Sequence, residues 1–167
     1  MKEFIDKVFY TERLLLEVIQ EKEADFIFEL TNTKGWLDFI GDRNIKSVVD
    51  AKDYIQKIKD SPSAIYWKVE HKQNHQVLGL VTLIQRDYLE NYDIGFAFLP
   101  RYSKKGYAYE ATKTILDYLL KTSKQEEVLA ITQKNNTNSI RLLKKLGLEF
   151  KTQINQNDDL LEVYSIS

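Results

Sequence analysis

The amino-acid sequence predicts an α/β (α+β) domain in which helices pack on both faces of a mixed sheet. Strand-like and helix-like hydrophobic periods follow one another in the order strand, two helices, three strands, helix, strand, helix and two strands. The 167 residues are enough for one packed core, and no repeat or linker-like composition divides them. We therefore expect a single domain over residues 1–167.

Hydrophobic periodicity indicates the elements of the first half of the chain. The segment 14–19 is mostly apolar, so we expect a strand that is buried on both faces. Ser47 is a helix-capping residue type and precedes apolar residues at helical spacing. Around Trp67, apolar and polar residues alternate, which predicts a half-buried strand. The predicted elements are strand 14–19, helices 21–31 and 47–58, and strands 65–69 and 77–84.

The second half begins with a strand that Pro100 ends. A helix with an apolar side follows, then a short apolar strand and a helix capped by Asn136 or Thr137. Gly147 ends that helix, and a closing hairpin completes the chain. The predicted elements are strand 92–99, helix 107–121, strand 128–132, helix 137–146, and strands 148–154 and 160–166.

Composition and charge exclude several classes of protein. The sequence has no cysteine, which excludes a disulfide scaffold and a cysteine nucleophile. Its 24 basic and 25 acidic residues give a net charge of −1, whereas nucleic-acid binders usually have a basic face. No apolar run is long enough to span a membrane, and the start of the chain does not look like a signal peptide. We expect a cytoplasmic protein with no nucleic-acid or membrane partner.

The junction before the helix 107–121 is the most informative segment for chemistry. First-turn amides of a helix have no intrahelical partner and lie at the positive end of its dipole. Gly106 and Ala108 are small enough for a diphosphate to approach the backbone, and Lys104 and Lys105 add positive charge. The alternative is an ordinary strand-to-helix turn with solvated lysines, and one glycine does not decide between the two. Rossmann and P-loop glycine patterns are absent, which disfavours nicotinamide enzymes and nucleoside triphosphatases.

Several motifs together resemble the GNAT superfamily, the acyl-CoA-dependent N-acyltransferases. Residues 104–111, Lys-Lys-Gly-Tyr-Ala-Tyr-Glu-Ala, look like its pyrophosphate loop. Residues 136–148 look like its second signature, Asn-x-x-Ser followed by a helix that ends in Leu-Gly-Phe. The opening 11–16, Thr-Glu-Arg-Leu-Leu-Leu, resembles the RimJ/RimL type, the subfamily that acetylates the N-termini of ribosomal proteins. The resemblance runs from Thr11 to Ile166, which is nearly the whole chain.

The resemblance implies a mostly antiparallel sheet of seven strands that splays open between its fourth and fifth strands, with acetyl-CoA in the gap. Backbone groups would contact the pantetheine arm and the diphosphate, and the 136–139 segment would face the other side of the cofactor. The subfamily often has glycine where Lys104 stands, a departure that leaves the backbone groups available. The cofactor residues implied are Phe98, Leu99, Lys104, Lys105, Gly106, Tyr107, Ala108, Tyr109, Asn136 and Ser139.

The chemistry of amine acylation indicates which catalytic groups to seek. The attacking amine must lose a proton, and the oxyanion that forms needs hydrogen-bond donors, for which we expect backbone amides around Leu99. Asp93 lies on the strand where many superfamily members carry a glutamate base, with a surface carboxylate as the alternative. Ser139 could orient or protonate the thiol, with a locally bonded helix serine as the alternative. His71 and His75 flank a turn without further ligands, so no metal site is expected.

The acceptor residues are implied only by the subfamily. Trp36, Asp42 and Arg43 lie in the helical insertion that walls its acceptor site. The alternative for these residues is packing of Trp36 into the core and an Asp42–Arg43 turn.

The sequence therefore favours an acetyl-CoA-dependent N-acetyltransferase. Its acceptor would be a primary amine, either a protein N-terminus or a small molecule, that attacks directly in a ternary complex. A non-catalytic acyl-CoA-binding or sensing domain is the alternative, and a plain interaction domain is a third hypothesis. The identity of the acceptor, an acyl group longer than acetyl, and a homodimer, which this fold commonly forms, all stay open.

Overall fold

The computed structural model describes residues 1–122 and 126–167, which form one eight-stranded sheet with helices on both faces. The strands are β1 (Phe9–Tyr10), β2 (Leu14–Val18), β3 (Ala64–His71), β4 (Val77–Ile84), β5 (Asp93–Phe98), β6 (Val128–Gln133), β7 (Glu149–Gln156) and β8 (Asp159–Ile166). The helices are α1 (Ala24–Thr31), α2 (Lys34–Phe39), α3 (Val48–Asp60), α4 (Tyr107–Thr122) and α5 (Thr137–Lys145). Within these described ranges no helix is long and apolar enough to cross a membrane.

The sheet is open between β5 and β6. The strand order is β1-β2-β3-β4-β5-β6-β8-β7, and every adjacent pair except β5–β6 is antiparallel. The parallel β5–β6 pair is in register only at Asp93 and Leu129, although both strands continue beyond these residues. The sheet therefore splays toward the carboxyl ends of the two strands. This confirms the predicted fold class and the predicted opening between the fourth and fifth expected strands.

Among these strands and α-helices, two short elements were not predicted. β1 pairs with β2 through Phe9 and Tyr10, and it makes the strand count eight rather than seven. Two residues are too few to show an alternating pattern. The six-residue helix α2 was also missed, although Thr33 caps it by accepting a hydrogen bond from the Trp36 amide at 3.4 Å. The local pattern of so short a segment does not distinguish a helix from a loop.

Two apolar cores lie on opposite faces of the sheet. One core is shared with α4 and α5 and includes Trp67 and Ile115. The other is shared with α1, α2 and α3 and includes Ile27 and Leu80. The sheet is therefore covered on both sides where it approaches the gap.

The prediction that β3 is only half-buried is wrong. Lys68 and Glu70, on its polar side, are both buried, and Lys68 pairs with Glu23 in the segment that leads into α1. The Lys68 ammonium lies 2.7 Å from a Glu70 oxygen, 3.3 Å from a Glu17 oxygen and 3.5 Å from a Glu23 oxygen. Ion pairing makes this burial tolerable, since an unpaired charge there would be strongly destabilising.

Candidate cofactor and active site

The gap between β5 and β6 exposes backbone hydrogen-bonding groups. On the β4 side, the Leu99 amide donates to the Leu78 carbonyl at 2.9 Å. Along an antiparallel ladder, successive residues direct their N–H and C=O groups to opposite sides. Phe96 and Phe98 therefore direct theirs toward β6, which pairs with β5 only at Asp93. These groups line the gap and suit an amide-containing ligand or a developing oxyanion.

The expectation that the Leu99 backbone serves the cofactor needs correction. Its amide is taken by Leu78, and its carbonyl accepts a hydrogen bond from the Tyr102 amide at 3.0 Å. Its side chain is buried in the α1–α3 core. The candidate oxyanion donors are instead the amides of Phe96 and Phe98. Phe96 was not singled out, although its position two residues before Phe98 gives it the same hydrogen-bonding direction.

The loop before α4 has the geometry of an anion cradle. Lys104 and Gly106 have φ angles of 59° and 80°, so the chain alternates between left-handed and ordinary conformations. Such alternation turns successive amides toward one side. Within residues 1–122 and 126–167, the amides of Tyr107, Ala108 and Tyr109 donate to no protein group. Positive charge and unused donors thus coincide at the start of a long helix.

The start of α5 follows the carboxyl end of β6, the strand on the other side of the gap. Asn136 caps this helix, because its side-chain oxygen accepts a hydrogen bond from the Ser139 amide at 3.3 Å. The Asn136 carbonyl accepts another from the Ile140 amide at 3.1 Å. The Ser139 hydroxyl has no protein partner in the described part of the chain, and the residue is half-buried. Asn136 therefore fixes the first turn of α5, while Ser139 retains an uncommitted hydroxyl.

Asp93 lies at the last paired position before the strands diverge. It is 3% exposed, so the alternative of a surface carboxylate is wrong. One carboxylate oxygen accepts a hydrogen bond from Arg86 Nε at 2.6 Å, and the other accepts one from the Ile131 amide at 3.3 Å. Burial raises the pKa of Asp93 to about 6, and the charge and hydrogen bond of Arg86 oppose the rise. Arg86 was missed, and its only sequence signal is an opposite charge seven residues away.

The three acceptor candidates differ in their surroundings. Trp36 is 5% exposed and packs in the α1–α3 core, with an indole N–H that has no acceptor in the described residues. The Asp42 carboxylate accepts a hydrogen bond from the Asn44 amide at 2.7 Å. The local turn at Asp42 is therefore closed by Asn44 and not by Arg43. Arg43 is exposed beside Gly41. The structure does not join the three side chains into one cluster by any hydrogen bond.

A cleft of about 420 Å³ lies at the carboxyl end of β6. The Gln133 side chain in its wall donates a hydrogen bond to the Asp38 carbonyl of α2 at 3.4 Å. The cleft is therefore close to both α2 and the open end of the gap. Its lining residues are Gln133, Lys134, Asn135, Asp159 and Leu160.

Comparisons with known proteins agree with this geometry. Residues 13–149 match the family model of the acetyltransferase (GNAT) domain. The chain is 29% identical over 138 residues to the uncharacterized N-acetyltransferase YnaD of Bacillus subtilis, covering 83% of this chain and 80% of YnaD. Its fold is similar to that of a GNAT-family acetyltransferase from Bacillus anthracis, with a TM-score of 0.81 and 24% identity over 96% of this chain and 98% of that one.

The RimJ/RimL resemblance extends to structure. The ribosomal L7/L12 α-N-protein acetyltransferase RimL, solved with coenzyme A, has a TM-score of 0.81 at 11% identity, covering 96% of this chain and 97% of RimL. At that identity the likeness concerns the fold alone. The family match, in contrast, spans most of the chain. This protein therefore belongs to the GNAT acetyltransferase family and is an acetyl-CoA-dependent acyltransferase.

Proposed function

We propose that the chain, as one domain over residues 1–167, moves an acetyl group from acetyl-CoA to a primary amine by direct attack in a ternary complex. The acceptor is a protein N-terminus or a small amine. The observation that carries the proposal is the open gap between β5 and β6, with unused backbone donors on β5 and at the start of α4. Acetyl-CoA supplies the activated thioester, so the protein has mainly to position the reactants and accept a proton.

The cofactor would be held chiefly by backbone groups. Phe96 and Phe98 present carbonyls of the kind that pair with the amides of the pantetheine arm. The amides from Lys104 to Tyr109 fit the diphosphate, whose charge favours a helix N-terminus. The side chains of Lys104 and Lys105 add positive charge there. Asn136 and Ser139 form the opposite wall.

Amide formation makes a bond from the amine nitrogen to the thioester carbon and breaks the carbon–sulfur bond. Negative charge that develops on the carbonyl oxygen requires donors already in place. The Phe96 and Phe98 amides, directed into the gap, fit this role. Ser139, with its uncommitted hydroxyl, is the candidate to orient the departing sulfur or pass it a proton.

Asp93 is our candidate for the group that receives the amine proton. A pKa of about 6 leaves this carboxylate ionised at neutral pH and close to the range that favours general bases. Arg86 fixes its orientation, as an orienting partner does for a catalytic base. Because Asp93 is only 3% exposed, we propose that the proton reaches its carboxylate through water.

The acceptor would enter through the cleft at the end of β6, between α2 and the β7–β8 turn. We propose that Trp36, Asp42 and Arg43 act on this side of the gap. Trp36 would act by supporting α2 from the core, and Asp42 and Arg43 by shaping the segment after α2.

A screen for release of coenzyme A, across N-terminal peptides and small amines, tests the proposal. We expect amine-dependent release with one of the two acceptor classes, well above the rate of hydrolysis without amine. Tight binding of acetyl-CoA without turnover on any amine would instead indicate a sensing domain. Absence of acetyl-CoA binding would contradict both.

A further inference from the structure

We propose that Arg13, in the turn between β1 and β2, is a positioning residue for the diphosphate-binding loop. This inference rests on the proposed function, because it assumes that the loop before α4 holds the diphosphate of coenzyme A. Arg13 is far from that loop in sequence, yet its guanidinium makes three contacts with the loop and the first turn of α4. The contacts are directed at the loop backbone, at an aromatic ring and at a carboxylate of the first helical turn.

The first contact fixes a peptide group of the loop. Arg13 Nη1 donates a hydrogen bond to the Lys105 carbonyl oxygen at 3.0 Å. In a trans peptide the carbonyl and the following N–H point in opposite directions. Anchoring the Lys105 oxygen toward Arg13 therefore directs the Gly106 amide away from Arg13, as a donor for a ligand.

Arg13 also limits the space that is available for a side chain at position 106. A Cβ built at Gly106 would lie 3.3 Å from Arg13 Nη2, and the φ angle of 80° disfavours any side chain there. The guanidinium thus lies directly behind the glycine. It forms a support against which the loop is packed.

The second contact involves the first residue of α4. The Arg13 guanidinium carbon lies 4.4 Å from the centre of the Tyr107 ring, in a cation–π arrangement. This contact restricts the orientation of the Tyr107 ring, and the Tyr107 amide is one of the candidate ligand donors. Arginine suits this contact better than lysine because its charged group is flat.

The third contact neutralises a carboxylate near the anion site. Glu110 lies in the first turn of α4, where its negative charge would oppose a diphosphate. Arg13 Nε donates to one oxygen of Glu110 at 2.7 Å, and the Arg13 amide donates to the other at 2.9 Å. The Thr11 hydroxyl donates to that second oxygen at 2.5 Å. The carboxylate is therefore turned toward the β1–β2 turn and paired there.

A single exposed ion pair would contribute little to stability or orientation. Here one guanidinium holds a carbonyl, a ring and a carboxylate together, and these belong to three residues of the loop and of the first turn of α4. Lysine carries the same charge but cannot make the three contacts at once. The role we infer therefore predicts that Arg13→Lys fails to replace arginine.

The test compares Arg13→Gln and Arg13→Lys with the wild type by isothermal titration of coenzyme A. We expect at least a tenfold weaker Kd for Arg13→Gln, and a loss of at least fivefold for Arg13→Lys. The matched control is Lys72→Gln, which removes a cation that donates to the Thr11 carbonyl of the same turn without touching the loop. Its Kd should stay within twofold of the wild type.

A second measurement separates positioning of the loop from general damage. Acetyl-pantetheine carries the thioester but lacks the diphosphate, so its kcat/KM should be nearly equal in the wild type and the Arg13 variants. With acetyl-CoA, KM should rise while kcat at saturation changes by less than about threefold. Equal losses with both acyl donors would overturn the inference in favour of a purely structural role, as would unchanged Kd values in both variants. If the wild type itself does not bind coenzyme A, that result contradicts the proposed function, and with it the role of Arg13 that rests on it.

Discussion

At the scale of single residues, Asp93 links pH to both stability and activity, with opposite signs. Its folded pKa of about 6 lies above the ordinary value of 3.8 because burial disfavours the charged form. The folded state therefore binds this proton more tightly than the unfolded state. Asp93 contributes stability that is fully present below about pH 3.8 and is lost as the pH rises through about 6. A base must be ionised, so activity should rise over the same range.

Replacement of Asp93 by asparagine tests the proposed base. We predict that Asp93→Asn lowers kcat/KM by about 10²- to 10³-fold at pH 7, in the range typical of general-base loss. The rise of kcat/KM through pH 6 should disappear, and the loss should shrink at high pH, where the amine arrives deprotonated. The Kd of acetyl-CoA should stay nearly constant. Asparagine can still accept the Ile131 hydrogen bond, and circular dichroism checks the fold of the variant.

Full activity of Asp93→Asn at pH 7 would contradict the assignment. Asp93 would then serve to hold Arg86 and Ile131 at the point where the strands separate. Asp117→Asn, at a half-buried position on α4 that is remote from the gap in sequence, is the control for loss of a carboxylate elsewhere.

Lys104 is the second residue with a testable property, because its backbone conformation affects the free energy of unfolding. Its φ angle of 59° costs a residue with a side chain roughly 1–2 kcal/mol, and glycine avoids this cost. Glycine in turn loses more chain entropy on folding, by roughly 0.5–1 kcal/mol. We predict that Lys104→Gly raises the free energy of unfolding by up to about 1 kcal/mol in urea titrations. Lys105→Gly, at a position without a positive φ, should not stabilise, and a destabilised Lys104→Gly would show that the lysine side chain is needed.

At the scale of elements, β3 is held under α1 by buried charges. Burial alone would lower the pKa of Lys68, but hydrogen bonding to Glu70 and the charges of Glu70 and Glu23 outweigh it, so the pKa is raised. Lys68 therefore stays charged at neutral pH and compensates the buried carboxylates. The apolar contacts of the neighbouring helices place this group of charges between the sheet and the start of α1.

Removal of the Lys68 charge should loosen this attachment. We predict that Lys68→Met lowers the free energy of unfolding by about 3–5 kcal/mol at pH 7, because buried carboxylates lose their partner. The loss should diminish toward pH 5, because without Lys68 burial favours the protonated form of the Glu70 carboxyl. Urea titrations at the two pH values measure both effects, with Lys57→Met on exposed α3 surface as the control. A loss below 1 kcal/mol would mean that water reaches the group and replaces the lysine.

At the scale of the whole molecule, the sheet has two parts, β1–β5 and β6–β8. Strand pairing joins them only at Asp93 and Leu129 in the described residues. A ligand in the gap would contact both parts of the sheet. It would also form hydrogen bonds with backbone groups that otherwise lack strand partners. Acetyl-CoA should therefore act on the stability of the entire fold as well as on the loop before α4.

Thermal unfolding with acetyl-CoA measures this coupling. At a ligand concentration about 100 times the Kd, we predict a gain of about 2.7 kcal/mol, which corresponds to an increase in Tm of about 5–10 °C for a chain of this size. Hydrogen exchange should slow at the amides of Phe96, Phe98 and 107–109. Adenosine, which lacks the diphosphate and pantetheine, is the control and should leave the Tm unchanged. An unchanged Tm with acetyl-CoA would contradict cofactor binding in the gap.

The sequence by itself determined the order of the main strands and helices, because hydrophobic periodicity is a local property of the chain. It also indicated the family, through motifs such as 104–111 that lie within single segments. Tertiary structure decided which backbone groups face the gap. The β4–β5 register determines that Phe96, rather than Leu99, directs its amide and carbonyl toward β6. It likewise decided the burial of Lys68 and the partners of Asp93 and Arg13. Such contacts join residues up to 97 positions apart, so no local pattern contains them.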